Sequence, residues 1–72
     1  MDLLAIALLN SRNRWIDSEI ARLTESALHK APNSPAACFI EGSLLMLNGW
    51  KDANNLIITR LEEVMSKQEQ EA

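Results

Sequence analysis

Apolar residues recur along the chain at steps of three and four, and no stretch shows the strict alternation that a strand requires. The pattern is interrupted at Asn13-Arg14, at 31–34 and at Asn48-Gly49. These interruptions leave four segments, near 2–12, 15–31, 35–47 and 50–69. The sequence therefore predicts an all-α fold of four antiparallel helices.

Two of the four segments have a single apolar side. Their apolar residues recur at helical spacing and are Ile16, Ile20, Leu23 and Ala27 in the second segment, and Ala53, Leu56, Ile57, Leu61 and Val64 in the fourth. Such stripes are typical of amphipathic helices with one side packed on a core. Both stripes are predicted to be buried.

The first and third segments are apolar on nearly every side. Their apolar residues are Leu3, Leu4, Ile6, Leu8 and Leu9 in the first, and Cys38, Phe39, Ile40, Leu44, Leu45, Met46 and Leu47 in the third. A helix that is apolar all round has to be covered all round, which four helices in two layers cannot achieve. The uncovered surface predicts an intermolecular contact.

Local signals mark several helix ends. Ser34-Pro35 is a strong signal for the start of a helix. The serine hydroxyl can cap a free backbone N–H, and proline at the first helical position has no N–H that would lack a partner. His29 and Lys30 suit a helix C-terminus, and Gly49 permits the left-handed conformation that would end the third helix. The polar tail 66–72 is predicted to fray.

The chain also contains an internal repeat. Shifting the sequence by 35 residues aligns 18 positions from Leu9 to Ser26 with five identities, including Asn13 with Asn48 and Trp15 with Trp50. The two tryptophans therefore begin equivalent helices and are interpreted as packing anchors, with partial exposure of either one left open. The repeat predicts one helical hairpin written twice, with repeat one at about 1–34 and repeat two at about 35–68 of a single domain, 1–72.

The second unit resembles the tetratricopeptide-repeat (TPR) family. The resemblance rests on Ala27-Leu28, Pro32, Gly42, Leu45, Gly49 and Ala53. It departs from that family at Glu41, a position that is usually leucine, and Ala53 comes one residue early. The resemblance implies two tandem TPR-like hairpins, in which Gly42 marks the close approach of two helices.

The same resemblance implies a concave groove that binds another protein. The residues that would line it are Leu4, Leu8, Phe39, Ile40, Ser43, Met46 and Leu47. TPR domains that bind acidic C-terminal tails line this groove with lysine, arginine and asparagine, which these positions lack. The resemblance therefore implies that an apolar or amphipathic helix of a partner fits better. Two repeats are also fewer than the three or so that usually fold alone, which again favours a partner.

A free-standing acidic chain of this size is also similar to the small type III secretion chaperones that hold needle subunits. That similarity implies a partner helix from a needle protein and a second small helical co-chaperone. Two other interpretations stay open: an end module of a larger TPR scaffold, and a homodimer whose groove closes on its twin.

Composition and charge narrow the remaining function classes. The net charge of −3 argues against nucleic acid and anionic membranes, and the longest apolar run is far shorter than a membrane span. Cys38 is the only cysteine and His29 has no ligand at metal-binding spacing, so no cofactor is expected. No catalytic motif is present, and the sequence predicts a cytoplasmic protein that is not an enzyme.

Overall fold

A computed structural model describes residues 2–71 of the chain, and its side chains from residue 3 to residue 70. It contains two helices, α1 (Asp2–Ala27) and α2 (Pro35–Glu71), that pack against each other as one antiparallel hairpin. The all-helical prediction is confirmed. The prediction of four helices in two tandem TPR-like hairpins is wrong, because helices continue through two of the three predicted breaks.

The two missing breaks have specific causes. At Asn13 the side chain is turned inward and hydrogen-bonds to α2, so it does not compete with the helix backbone. Gly49 has no positive φ, and both Gly42 and Gly49 lie inside α2. A glycine inside a helix costs only about 1 kcal/mol, which packing along a long helix offsets.

The predicted close approach at Gly42 is also wrong. A Cβ atom built on Gly42 or on Gly49 would meet nothing within 4 Å. Both glycines therefore lie on an open side of α2 rather than between two packed helices.

The turn between the helices agrees with its predicted start. The Ser34 hydroxyl accepts a hydrogen bond from the Ala37 N–H at 3.1 Å, and Pro35 is the first residue of α2. Asn33 takes φ 62°, a left-handed conformation that asparagine tolerates better than most residues. The predicted end of the second segment near residue 31 is wrong, because α1 ends at Ala27 and His29 and Lys30 lie in the turn. The polar tail continues α2 as far as Glu71.

The two helices meet along a regular seam. Its members are buried or half-buried and recur at alternating steps of three and four, as in a coiled coil. In α1 they are Ile6, Leu9, Asn13, Ile16, Ile20, Leu23 and Ala27, and in α2 they are Ile40, Leu44, Leu47, Lys51, Asn54, Ile58, Leu61 and Met65. The predicted buried stripe of the second segment is confirmed by this seam.

The buried stripe predicted for the fourth segment is wrong except at Leu61. Ala53, Leu56, Ile57 and Val64 are exposed, and Leu56 keeps 62% of its surface in solvent. Because α2 runs straight through Gly49, the side that faces α1 is set upstream by Ile40 and Leu47. Steps of three and four from there reach Ile58 and Leu61 and bypass the predicted stripe.

The hairpin is long and thin. Its extents are 58 × 15 × 13 Å and its radius of gyration is 16.9 Å, compared with about 11 Å for a compact chain of this length. Its accessible surface is 5608 Å², where a globular monomer of this mass has about 4,500 Å². One layer of two helices therefore leaves much apolar surface uncovered.

Candidate protein-binding surface

One broad side of the hairpin carries two adjoining depressions with Trp15 and Trp50 in common. The first, of about 310 Å³, is also lined by Arg12, Ile16, Ala53 and Asn54. The second, of about 320 Å³, extends toward the turn and adds Glu19, Arg22, Leu23, Phe39, Ser43, Met46 and Leu47. We call the accessible lining of both the tryptophan face: Arg12, Trp15, Glu19, Arg22, Phe39, Ser43, Met46, Trp50 and Ala53.

The tryptophan face presents large apolar groups to solvent. Trp15 is 56% exposed, Trp50 is 49% exposed and Phe39 is 74% exposed. Positions seven residues apart lie on one line of such a helix, so Leu8 continues the line of Trp15 and Ile57 continues that of Trp50. Both of these residues are exposed as well. The result is an apolar strip that follows much of the hairpin.

The opposite side of the hairpin, here the polar face, is different in kind. Along α2 one line consists of Glu41, Asn48, Asn55 and Glu62, and α1 contributes Asn10, Asp17 and Thr24. Lys51 Nζ lies 2.6 Å from Asp17 Oδ1 across the two helices, in a solvent-exposed ion pair that adds little stability. Leu45 and Leu3, which lies seven residues before Asn10, are exposed apolar groups on this side, and scattered apolar groups are ordinary for a protein surface.

A cluster of three asparagines interrupts the apolar seam. The buried Asn13 donates from Nδ2 to Asn55 Oδ1 at 2.8 Å and accepts at Oδ1 from Asn54 Nδ2 at 3.0 Å. Sliding one helix along the other would leave these groups unpaired, which is costly away from water. The cluster therefore holds the register that brings Trp15 and Trp50 to the same depression.

The residues predicted to bind a partner separate into two groups. Leu4, Leu8, Phe39 and Met46 are exposed, and Ser43 is half-buried with its hydroxyl donating to the Phe39 carbonyl. Ile40 and Leu47, by contrast, are each only 5% exposed and belong to the seam. The structure therefore brings Phe39, Ser43 and Met46 together on the tryptophan face and places Ile40 and Leu47 inside the hairpin.

Trp15 and Trp50 were not predicted to bind a partner, nor was Arg12. The interpretation of the tryptophans as packing anchors left partial exposure open, and about half of each tryptophan is in solvent. The sequence does contain an indication that Trp15 is exposed. If the heptad pattern is continued without a break from Ile6 through Asn13 to Ala27, Trp15 lies outside the seam. The apparent helix boundary at Asn13-Arg14 concealed it.

Other chemistry is sparse in the part of the chain that the structure describes. No group of three or more metal-ligating side chains occurs there. Cys38 is a free, exposed thiol, and His29 Nε2 lies 3.5 Å from Glu25 Oε1 on the surface. Among the described residues no helix is long and apolar enough to cross a membrane.

Comparison with models of known protein families, with curated proteins and with solved structures finds no match to this chain. The hairpin does not establish TPR-like repeats.

Proposed function

We propose that this chain is a small protein-binding module whose tryptophan face holds an amphipathic helix of a partner protein. The observation that carries the proposal is the position of the exposed apolar groups. Trp15, Trp50, Phe39 and Met46 all line one pair of adjoining depressions. Exposed apolar patches rimmed by polar groups are typical of interaction sites, and tryptophan is enriched among residues that dominate binding energy.

The dimensions of the hairpin suit this mode of binding. A side of 58 by 15 Å is close to the area of about 800 Å² that each partner contributes to a standard interface. The groove between two antiparallel helices accepts a third helix, whose apolar residues recur every three or four positions. A third helix would also supply the second layer that the hairpin lacks.

Photo-crosslinking in cells tests this function. A crosslinking amino acid at Phe39 or Met46, both exposed on the tryptophan face, should capture one and the same protein. The matched controls are Asn48 and Glu62, which are exposed on the polar face of the same helix. Equal capture from both faces would contradict the proposal, and crosslinks between copies of the chain would assign the face to a homodimer.

Two narrower predictions belong to this proposal. The first is a needle subunit of type III secretion as the partner, with a small helical co-chaperone. This prediction rests on chain size and on a tandem-repeat architecture, and the structure has a single hairpin instead. No residue of the tryptophan face identifies this partner, so it stays a prediction. The cytoplasmic location stays one as well.

A further inference from the structure

The tryptophan face has the opposite charge to the chain as a whole. The protein carries a net charge of −3, yet Arg12 and Arg22 line the two depressions. Arg60 follows Ala53 by seven residues and continues its line along α2. Glu19 is the one acidic residue that lines either depression, and its carboxylate is already bonded to Arg22 at 2.7 Å. The apolar strip is therefore bordered by cations.

We infer that the partner helix on the tryptophan face is acidic, with aspartate or glutamate on both flanks of its apolar stripe. The inference rests on the proposed function and specifies the chemistry of the partner. Arg12 lines the first depression from α1, and Arg60 lies on the line of Ala53 along α2, so a helix bound between α1 and α2 has one guanidinium on each side. Arginine pairs with carboxylates through two parallel hydrogen bonds, which gives orientation as well as attraction.

A second copy of this chain does not supply that chemistry. If two tryptophan faces met, arginines would face arginines, and Glu19 would be the only carboxylate among the lining residues. Like charges across an interface cost binding energy. The polar face of another copy does hold Glu41, Asp52 and Glu62, but asparagines occupy the positions where an apolar stripe would have to lie.

The position of Arg12 also suggests where binding energy concentrates. Arg12 lines the same depression of about 310 Å³ as Trp15 and Trp50, so an apolar side chain inserted there lies beside a guanidinium. Tryptophan and arginine are the residue types that most often dominate an interface. A partner helix with an apolar residue in this depression and a carboxylate one helical turn further on would contact both the tryptophans and Arg12.

Two designed helical peptides test the inference. Both have about three heptads, the same leucine stripe and no tryptophan, and they differ only in carrying glutamate or lysine on the flanks. Trp15 and Trp50 are the only tryptophans of the chain and both lie on the proposed site, so their fluorescence reports binding directly. The overall charge of −3 would attract the lysine peptide, which makes the sign of the preference decisive.

We expect the glutamate peptide to bind at least about tenfold more tightly than the lysine peptide at low salt. The glutamate peptide forms two favourable ion pairs with the arginines, where the lysine peptide has two repulsive contacts. The difference should shrink toward unity at about 0.5 M salt. The double variant R12E/R60E should invert the preference. Arg14→Glu reverses one charge, against two in the double variant, at an exposed α1 position outside both depressions, and this variant should still bind the glutamate peptide more tightly.

The possible failures are distinguishable. Equal binding of the two peptides, or tighter binding of the lysine peptide, overturns the acidic partner and leaves the proposed function standing. No binding of either peptide overturns both. A stable dimer by sedimentation that Trp50→Ala dissolves overturns the inference in favour of a second copy. If R12E/R60E fails to fold by circular dichroism, the salt dependence of the unmodified protein decides alone.

Discussion

The seam and the tryptophan face use the same kinds of side chain for different purposes. Ile16, Ile40 and Leu47 are almost fully buried between the helices, whereas their immediate neighbours in sequence are at least half exposed: Trp15, Phe39 and Met46. Each pair is separated by one step of about 100° around a helix. Neighbouring apolar residues of this chain therefore divide between the seam and the exposed tryptophan face, and the helical phase decides which residue lies where.

The largest effect should come from truncating the seam. Leu47→Ala removes a side chain that is 95% shielded and leaves a cavity between the helices, so it should cost about 2–5 kcal/mol of unfolding free energy. Urea or thermal melts followed by circular dichroism measure this. Met46→Ala is the matched control and should melt almost like the unmodified chain. Equal destabilisation by both would mean that the seam is assigned to the wrong phase of α2.

Truncating the tryptophan face should affect binding instead. Trp50→Ala, or Phe39→Ala, should weaken binding of the partner helix by about 2 kcal/mol or more. Phe39→Ala should leave the melting of the free chain almost unchanged, because Phe39 is 74% exposed. Calorimetric titration with the glutamate peptide measures the loss of binding free energy. Leu45→Ala removes an equally exposed apolar group outside both depressions and should bind normally. Normal binding by Trp50→Ala would remove the tryptophan face from the interface.

The asparagine cluster connects the two regions. Asn13→Ala leaves Asn54 and Asn55 without their partner and should cost about 1–3 kcal/mol of stability. Asn13→Leu should recover that stability while loosening the register, since only apolar contacts would then hold the helices in line. The measurement is a cysteine pair placed across the two helices, whose disulfide should form in one register for the unmodified chain and in several for Asn13→Leu. A single register in both would show that the cluster has no such role.

The smallest effect concerns the glycines of α2. Gly42→Ala and Gly49→Ala should each stabilise the free chain by about 0.5–1 kcal/mol, because alanine is the better helix former and the added Cβ meets nothing. Thermal melts of the single and double variants check this. A chain that actually turned at Gly49 would instead be destabilised by Gly49→Ala, so the sign of the change separates a continuous α2 from a tandem repeat.

Part of the fold was predictable from local chemistry. The start of α2 at Ser34-Pro35 and the buried stripe of α1 follow from capping and periodicity, and both predictions are confirmed. The breaks at Asn13 and Gly49 were predicted from residue types that merely tolerate a turn. Neither residue forbids a helix, as proline would, so long-range packing determines the outcome there.

The candidate site was less predictable for the same reason. Phe39 and Met46 were recognised as surplus apolar groups because no amphipathic pattern accounts for them. Ile40 and Leu47 are also apolar and also seven residues apart. Only the phase of α2 relative to α1 separates them from Phe39 and Met46. Trp15 and Trp50 lie 35 positions apart in the chain, and nothing local indicates that they share a depression.

Local patterns were enough to show that the chain is helical, that α2 begins at Pro35, and that the chain has more apolar surface than it can cover. These properties depend on residues a few positions apart, which a linear pattern records. The tertiary structure alone decided that there are two helices, which apolar line becomes the seam, and that two tryptophans and an arginine meet on one face. Those outcomes depend on the register of two antiparallel helices, which the hydrogen bonds of Asn13 with Asn54 and Asn55 hold across more than 40 positions of the chain.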